Sequence, residues 1–365
     1  MYQLEVKELN CLVRTLISKS DAVEYFTKYD NVFCAYDYET GADNPAEAVL
    51  YDRAYIIGTS FCYNRKEAVY VPFQHREGNA EPDCIDTVVE FMRSTPLAAF
   101  NFPFEYSFTK YHLNFIPKMF ADLQYLAQID NNNHPDSLKE LILKIYGYHM
   151  QTFEEVTRNT KDFRTVSVKD GFFYGSSDSL WTLIGIEDML PRVEADSGKK
   201  QILKIENMLL PEICEMHYNG IRYNRQLLLE HVPFMKNVCE EIKQDLMSRI
   251  EQECPQFFTP NLYGKSFNLN LNSPADMQKL FKALGHDLSE TGTGKKILAN
   301  IDHPVAKLIT KYREEAIILN NYLNAPLTIM NKNDIIFPAL KQLGAPTGRM
   351  ACFKPNFMAL PKLRD

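Results

Sequence analysis

Between residues 5 and 29 Leu, Val and Ile recur at steps of three and four, which predicts a helix. The period then changes. Val32-Phe33-Cys34-Ala35-Tyr36-Asp37-Tyr38-Glu39-Thr40-Gly41 is an apolar run closing on two acids, and it predicts a strand. Residues 53–61 and 67–73 predict two more strands, and Asn64-Arg65-Lys66 between them is short enough for an antiparallel hairpin. A helix is predicted over 83–92, a buried strand over 96–101, and helices over 122–128 and 137–146. Hairpin strands first, then alternating α and β, predict an α/β fold: a mixed sheet with helices on its faces.

From about residue 199 the strand signals fade. Long amphipathic helices are predicted over 200–218, 225–253, 274–284 and 303–322, so a domain boundary is expected near residue 200. A chain of 365 residues is also longer than one hydrophobic core usually holds. The balance of 45% hydrophobic and 24% charged residues is that of an ordinary soluble globular protein. No apolar run reaches the length of a membrane span, and the first residues lack the pattern of a signal peptide. Eight cysteines are scattered without a C-x-x-C pair, which argues against a zinc site and fits a reducing, intracellular compartment. The net charge of −7 argues against coating nucleic acid by bulk attraction. It leaves room for a local basic patch, and Lys341, Arg349, Lys354, Lys362 and Arg364 form one before Asp365.

The candidate chemistry is carboxylate chemistry. Alternate strand residues share a face, so Asp37 and Glu39 point together while Tyr38 points away. Two adjacent anions invite a hard divalent ion such as Mg²⁺ or Mn²⁺. Glu105, in Asn101-Phe102-Pro103-Phe104-Glu105, follows the buried strand at 96–101. Tyr174 and Asp178, spaced i, i+4 in Tyr174-Gly175-Ser176-Ser177-Asp178, share one face of a helix that this stretch opens. Glu187 and Asp188, further along, read as a solvated face. Four acids and a tyrosine could hold two divalent ions, which activate water and stabilise a leaving oxygen in phosphoryl displacement. Thr291-Gly292-Thr293-Gly294-Lys295 is not a phosphate loop, since Ser289 stands where the first glycine is required and no Ser or Thr follows the lysine.

The series D-x-E-T at 37–40, N-x-x-F-acid at 101–105 and Y-x-x-x-D at 174–178 resembles the three motifs of the DEDD exonuclease superfamily, tyrosine subtype. The resemblance runs on. Residues 209–221 look like the helix that opens the polymerase part of family A DNA polymerases (the DNA polymerase I type). Phe267-Asn268-Leu269-Asn270-Leu271-Asn272-Ser273-Pro274 and Tyr312-Arg313-Glu314 look like its thumb. Thr347-Gly348-Arg349, Pro355-Asn356 and Leu360-Pro361 look like its primer–template segment. The resemblance implies a ribonuclease-H-like exonuclease domain over 1–200, a helical thumb-like domain over 201–340, and a basic tail over 341–365 resembling the start of a palm. It implies proofreading removal of nucleotides from single-stranded or frayed DNA 3′ ends as 5′-monophosphates. Asp37, Glu39, Glu105 and Asp178 would hold two Mg²⁺ or Mn²⁺ ions, and Tyr174 would orient the water. Thr40, Asn101, Phe104, Lys265, Asn270, Arg313 and Arg349 would contact DNA. The location would be intracellular, cytoplasm or nucleoid, and a phage, bacterial or organellar origin stays open. Two departures stand out: Glu105 replaces the family's aspartate, and the palm and fingers aspartates do not occur, so this chain alone is not expected to polymerise. The alternative is a catalytically weak DNA-binding or assembly subunit that docks with a separate palm-and-fingers polypeptide.

Overall fold

The expected helix over residues 5–29 does not form. In the computed structural model, which describes residues 1–262, 264–288 and 292–360, this stretch is a hairpin followed by a short helix. Strands β1 (Gln3–Val6) and β2 (Cys11–Thr15) pair antiparallel, and Asn10 turns the chain with φ 48°. Helix α1 (Lys19–Phe26) starts only at a capping box, in which Ser18 and Asp21 satisfy each other's backbone N–H groups. The three-and-four spacing that suggested one helix joins residues of two different elements. Ser289, Thr291, Pro361, Lys362, Arg364 and Asp365 lie outside the described residues.

The other predicted strands appear as β3 (Cys34–Ala42), β4 (Ala54–Asn64), β5 (Glu67–Pro72) and β6 (Pro96–Ala99), with an unexpected β7 (Lys118–Asp122). They build one seven-stranded sheet in the order β1-β2-β5-β4-β3-β6-β7. β2–β5, β3–β6 and β6–β7 run parallel and the remaining pairs antiparallel. β3 is interior to the sheet, so Cys34, Ala35 and Tyr36 are fully buried and the strand reads as an apolar run.

Helices α2 (Pro82–Ser94), α3 (Phe102–His112), α4 (Leu123–Asp130), α5 (Leu138–Tyr146) and α6 (Phe153–Val156) lead into α7 (Val168–Ala195), which crosses β3, β4 and β5. Ser167 caps α7, so the helix opens six residues before Tyr174 rather than at it. Helix α8 (Ser197–Asn219) packs on α3, α4 and α7. The chain therefore divides into one unit of Met1–Gly220 with Ala339–Cys352 and another of Ile221–Pro338 with Phe353–Asp365, not near residue 200.

The second unit contains β8 (Ile221–Arg222), α9 (Arg225–Glu253), the hairpin β9 (Phe258–Asn261) and β10 (Gly264–Phe267), and α10 (Pro274–Ala283). It continues with α11 (Lys295–Leu298), α12 (Pro304–Ile317), a π-helical stretch at Ile318–Asn324, α13 (Ala325–Ile329) and β11 (Ile335–Ile336). Leu246, Ile250, Met277, Phe281, Val305 and Ile309 form one of its cores. The strands β12 (Ala339–Lys341) and β13 (Ala351–Phe353) pair as a ribbon.

Candidate active site

β3 brings Asp37 and Glu39 to one face, while Tyr38 points oppositely and meets Thr109 Oγ1 through its hydroxyl at 3.0 Å. The register between β3 and β4 shifts between Glu39 and Thr40, a bulge of the kind that re-aims side chains beside sites. Asp178, one turn beyond Tyr174 on α7, completes a trio: Asp37, Glu39 and Asp178 each offer an oxygen within 4.8 Å of the others.

Two glycines that the motifs did not explain, Gly175 on α7 and Gly58 on β4, make room for Tyr70. A Cβ on Gly175 would lie 2.7 Å from the Tyr70 ring and 3.4 Å from Glu39 Cγ, and one on Gly58 would lie 2.1 Å from the Tyr70 hydroxyl. Tyr70 thus fills the space behind Glu39. The Val166 carbonyl, 3.0 Å from His75 Nδ1, can only accept, so Nδ1 carries the proton and Nε2 accepts from the Tyr70 hydroxyl at 2.8 Å.

Glu105 lies in the first turn of α3, is 2% exposed, and its Oε2 has no hydrogen-bond partner. It stands beside the trio, close enough for the charges of Asp37 and Asp178 to act on it. The helix start that carries it is held by Asp122, a residue the motif reading missed. Asp122 accepts from the backbone N–H of Asn101 at 2.9 Å, of Phe102 at 2.7 Å and of Gln124 at 2.8 Å. Asn101 occupies the N-cap position in the left-handed region, φ 71°, but its own side chain makes no capping bond.

Burial pushes the carboxyls of Asp37, Glu39, Glu105 and Asp178 above the usual carboxylate range, and repulsion from neighbouring acids adds to it for Asp37, Glu39 and Glu105. Lys139 opposes that push on Asp37, Glu39 and Asp178. Burial, then the nearby acids, raise the Tyr174 hydroxyl, which stays protonated. The donor set fits a hard divalent cation. All are oxygens, and Asp178 Oδ1, like Glu105 Oε2, is buried without a hydrogen-bond partner.

The other residues expected to contact DNA lie in both units. Thr40 Oγ1 donates to the Ala48 carbonyl at 2.6 Å, and half-buried Phe104 packs on Phe108 with ring centroids 4.7 Å apart. Arg349 is exposed in the first unit, between β12 and β13. In the second unit Lys265 is exposed and paired with Glu251, and exposed Asn270 accepts from the Asn272 N–H at 2.9 Å. Arg313 donates to the carbonyls of Leu271 at 2.6 Å and Thr293 at 2.8 Å, clipping two loops to α12.

Residues 236–365 match the family model of DNA polymerase family A. DNA polymerase I of Pseudomonas aeruginosa is 23% identical over 345 residues, covering 87% of this chain and 36% of the relative. That of Chloroflexus aurantiacus is 27% identical over 213 residues, covering 54% of this chain and 21% of the relative. The chain thus spans between a fifth and about a third of the length of these relatives. A solved structure of the POL domain of Pol1 from M. smegmatis, in complex with DNA primer-template and dNTP, covers 96% of this chain and 56% of that one. Its TM-score is 0.68 at 13% identity, which establishes likeness of fold. No helix among the described residues is long and apolar enough to cross a membrane. The chain is a relative of the family A DNA polymerases.

Proposed function

We propose that the first unit is a ribonuclease-H-like, metal-dependent 3′–5′ exonuclease of proofreading type, and that the helical second unit is thumb-like and grips DNA. The observation that carries this is the convergence of Asp37, Glu39 and Asp178, from a strand and a distant helix, onto one site. Buried Glu105, whose Oε2 has no partner, feels the charge of Asp37 and Asp178. Divalent ions held there would activate a water and stabilise the leaving oxygen of an in-line displacement. Asp37, Glu39 and Asp178 would hold one ion, and Asp37 with Glu105 a second. The protonated Tyr174 hydroxyl would orient the attacking water. Water adds to the terminal phosphorus, the bond to the 3′ oxygen of the penultimate nucleotide breaks, and that oxygen takes up the proton. A 5′-mononucleotide and a shortened 3′ end leave.

The test is gel-resolved digestion of a 5′-labelled single-stranded oligonucleotide with Mg²⁺, Mn²⁺ or chelator. A metal-dependent ladder is expected, absent in Asp37→Ala; an undiminished ladder in that variant would overturn the assignment. A second reading draws on Glu105, whose carboxyl stands outside the trio. In it the chain is a weak nuclease whose main role is to bind DNA. DNA retention without any ladder would favour that reading.

A further inference from the structure

Lys139 is the second residue of α5, in the turn that Ser137 caps, and in sequence it looks like any solvated lysine of an amphipathic helix. The structure turns it inward, where its side chain is 24% exposed. The ammonium lies 3.9 Å from the centroid of the Tyr174 ring and 4.0 Å from Asp178 Oδ1, and it donates to the Gln151 carbonyl at 2.9 Å. Three contacts therefore fix a positive charge over the face of the tyrosine and at the edge of the acid trio. A cation held over an aromatic ring is stabilised there and also restricts the ring.

Charge arithmetic gives this placement a consequence. Two divalent ions would balance the four carboxylates. The phosphodiester's own negative charge, which grows as water attacks, is then left without a partner. A fixed cation in a partly desolvated site stabilises such developing charge without reorganising.

We propose that Lys139 is a further catalytic residue of this site: a built-in counter-ion that balances the acids before divalent ions bind and then compensates the charge developing on the scissile phosphate. The inference rests on the exonuclease reading above. It has a signature that a structural role lacks. Removing a positive charge a few ångströms from a cation site lowers the repulsion that an entering ion meets, so metal binding tightens while cleavage slows.

The experiment uses the full chain, with Mn²⁺ alone titrated by calorimetry and cleavage followed on a 5′-labelled single strand. Lys139→Gln is expected to bind Mn²⁺ about threefold or more tightly. Its kcat should fall about ten- to hundredfold with KM little changed, and Lys139→Arg should recover part of that loss because it keeps the charge. Unchanged or weaker Mn²⁺ binding in Lys139→Gln would overturn the counter-ion role, and weaker binding together with lost activity would mean that Lys139 only supports the local fold. Wild-type rates in Lys139→Gln would overturn the phosphate role. The two readings fail differently: a wild-type chain that binds no Mn²⁺ and gives no ladder removes the exonuclease reading and this one with it. A wild-type chain that binds and cleaves as Lys139→Gln does removes only the lysine.

Discussion

At the scale of single residues the site stores electrostatic strain. Burial and mutual repulsion raise the carboxyls of Asp37, Glu39 and Glu105, so the native chain without metal holds protons that the unfolded chain has released. The unfolded carboxyls titrate at about 4, and above that pH the folded state binds more protons. Stability then falls as pH rises from about 4 through the raised native values. Glu105→Gln removes one of these charges. In chelator at pH 7 it is expected to be more stable than wild type in urea unfolding, because the cost of burying that carboxyl among other acids is gone. Its pH dependence should be flatter, and its cleavage slower. A less stable Glu105→Gln under those conditions would contradict the electrostatic account. Adding Mn²⁺ should reverse the loss for wild type at high pH, because an ion that binds only the folded chain stabilises it. These acids were legible in the sequence because spacing alone puts Asp37 with Glu39 and Tyr174 with Asp178. Lys139 was not, since its neighbours in space come from elements that no local pattern joins to α5.

At the scale of elements, two fittings aim the acids. Asp122 ties the start of α3, and so Glu105, to the end of β7. Burial lifts its carboxyl to about 6, against the pull of three backbone N–H groups. Asp122→Ala strands buried donors and is expected to cost about 1–3 kcal/mol in urea unfolding. Cleavage should slow as well, because Glu105 loses its anchor. Gly175→Ala tests the other fitting: its methyl would meet the Tyr70 ring at 2.7 Å. The variant should lose about 1–3 kcal/mol, as overpacked cores do, and bind Mn²⁺ more weakly as Asp178 is pushed from Glu39. Stability and Mn²⁺ affinity equal to wild type would show that α7 has slack there. The predicted β3–β5 and α2 emerged where their periods put them, because each is one continuous pattern. The first 29 residues misled because a hairpin and a helix in succession imitate one helical period, and β7 opens on an exposed lysine and closes on an aspartate, leaving an apolar run of only Met119-Phe120-Ala121.

At the scale of the whole molecule, the first unit is closed by a segment from far along the chain. β12 packs on α8, and buried Gln342 donates to Glu206 twice, to its carbonyl at 3.0 Å and to Oε2 at 2.7 Å, while Lys341 pairs with Asp136. Nothing local in the sequence marks this return. Residues 339–341 are too few to carry a period, so the sequence pattern points to a boundary near residue 200 and to a separate tail at the end of the chain. Gln342→Ala tests whether the return holds the unit together. Glu206 is only 9% exposed, and without Gln342 its carboxylate loses a donor in a place that water reaches poorly. The expected cost is about 1–3 kcal/mol, and amide exchange should quicken at Ala339–Lys341 and in α8 where Glu206 lies. The amides of α12, in the second unit, should keep their protection if the two units unfold separately. Faster exchange in α12 to the same degree would mean that the chain opens as one cooperative body, and the return segment would then be a link between units rather than a closure of the first.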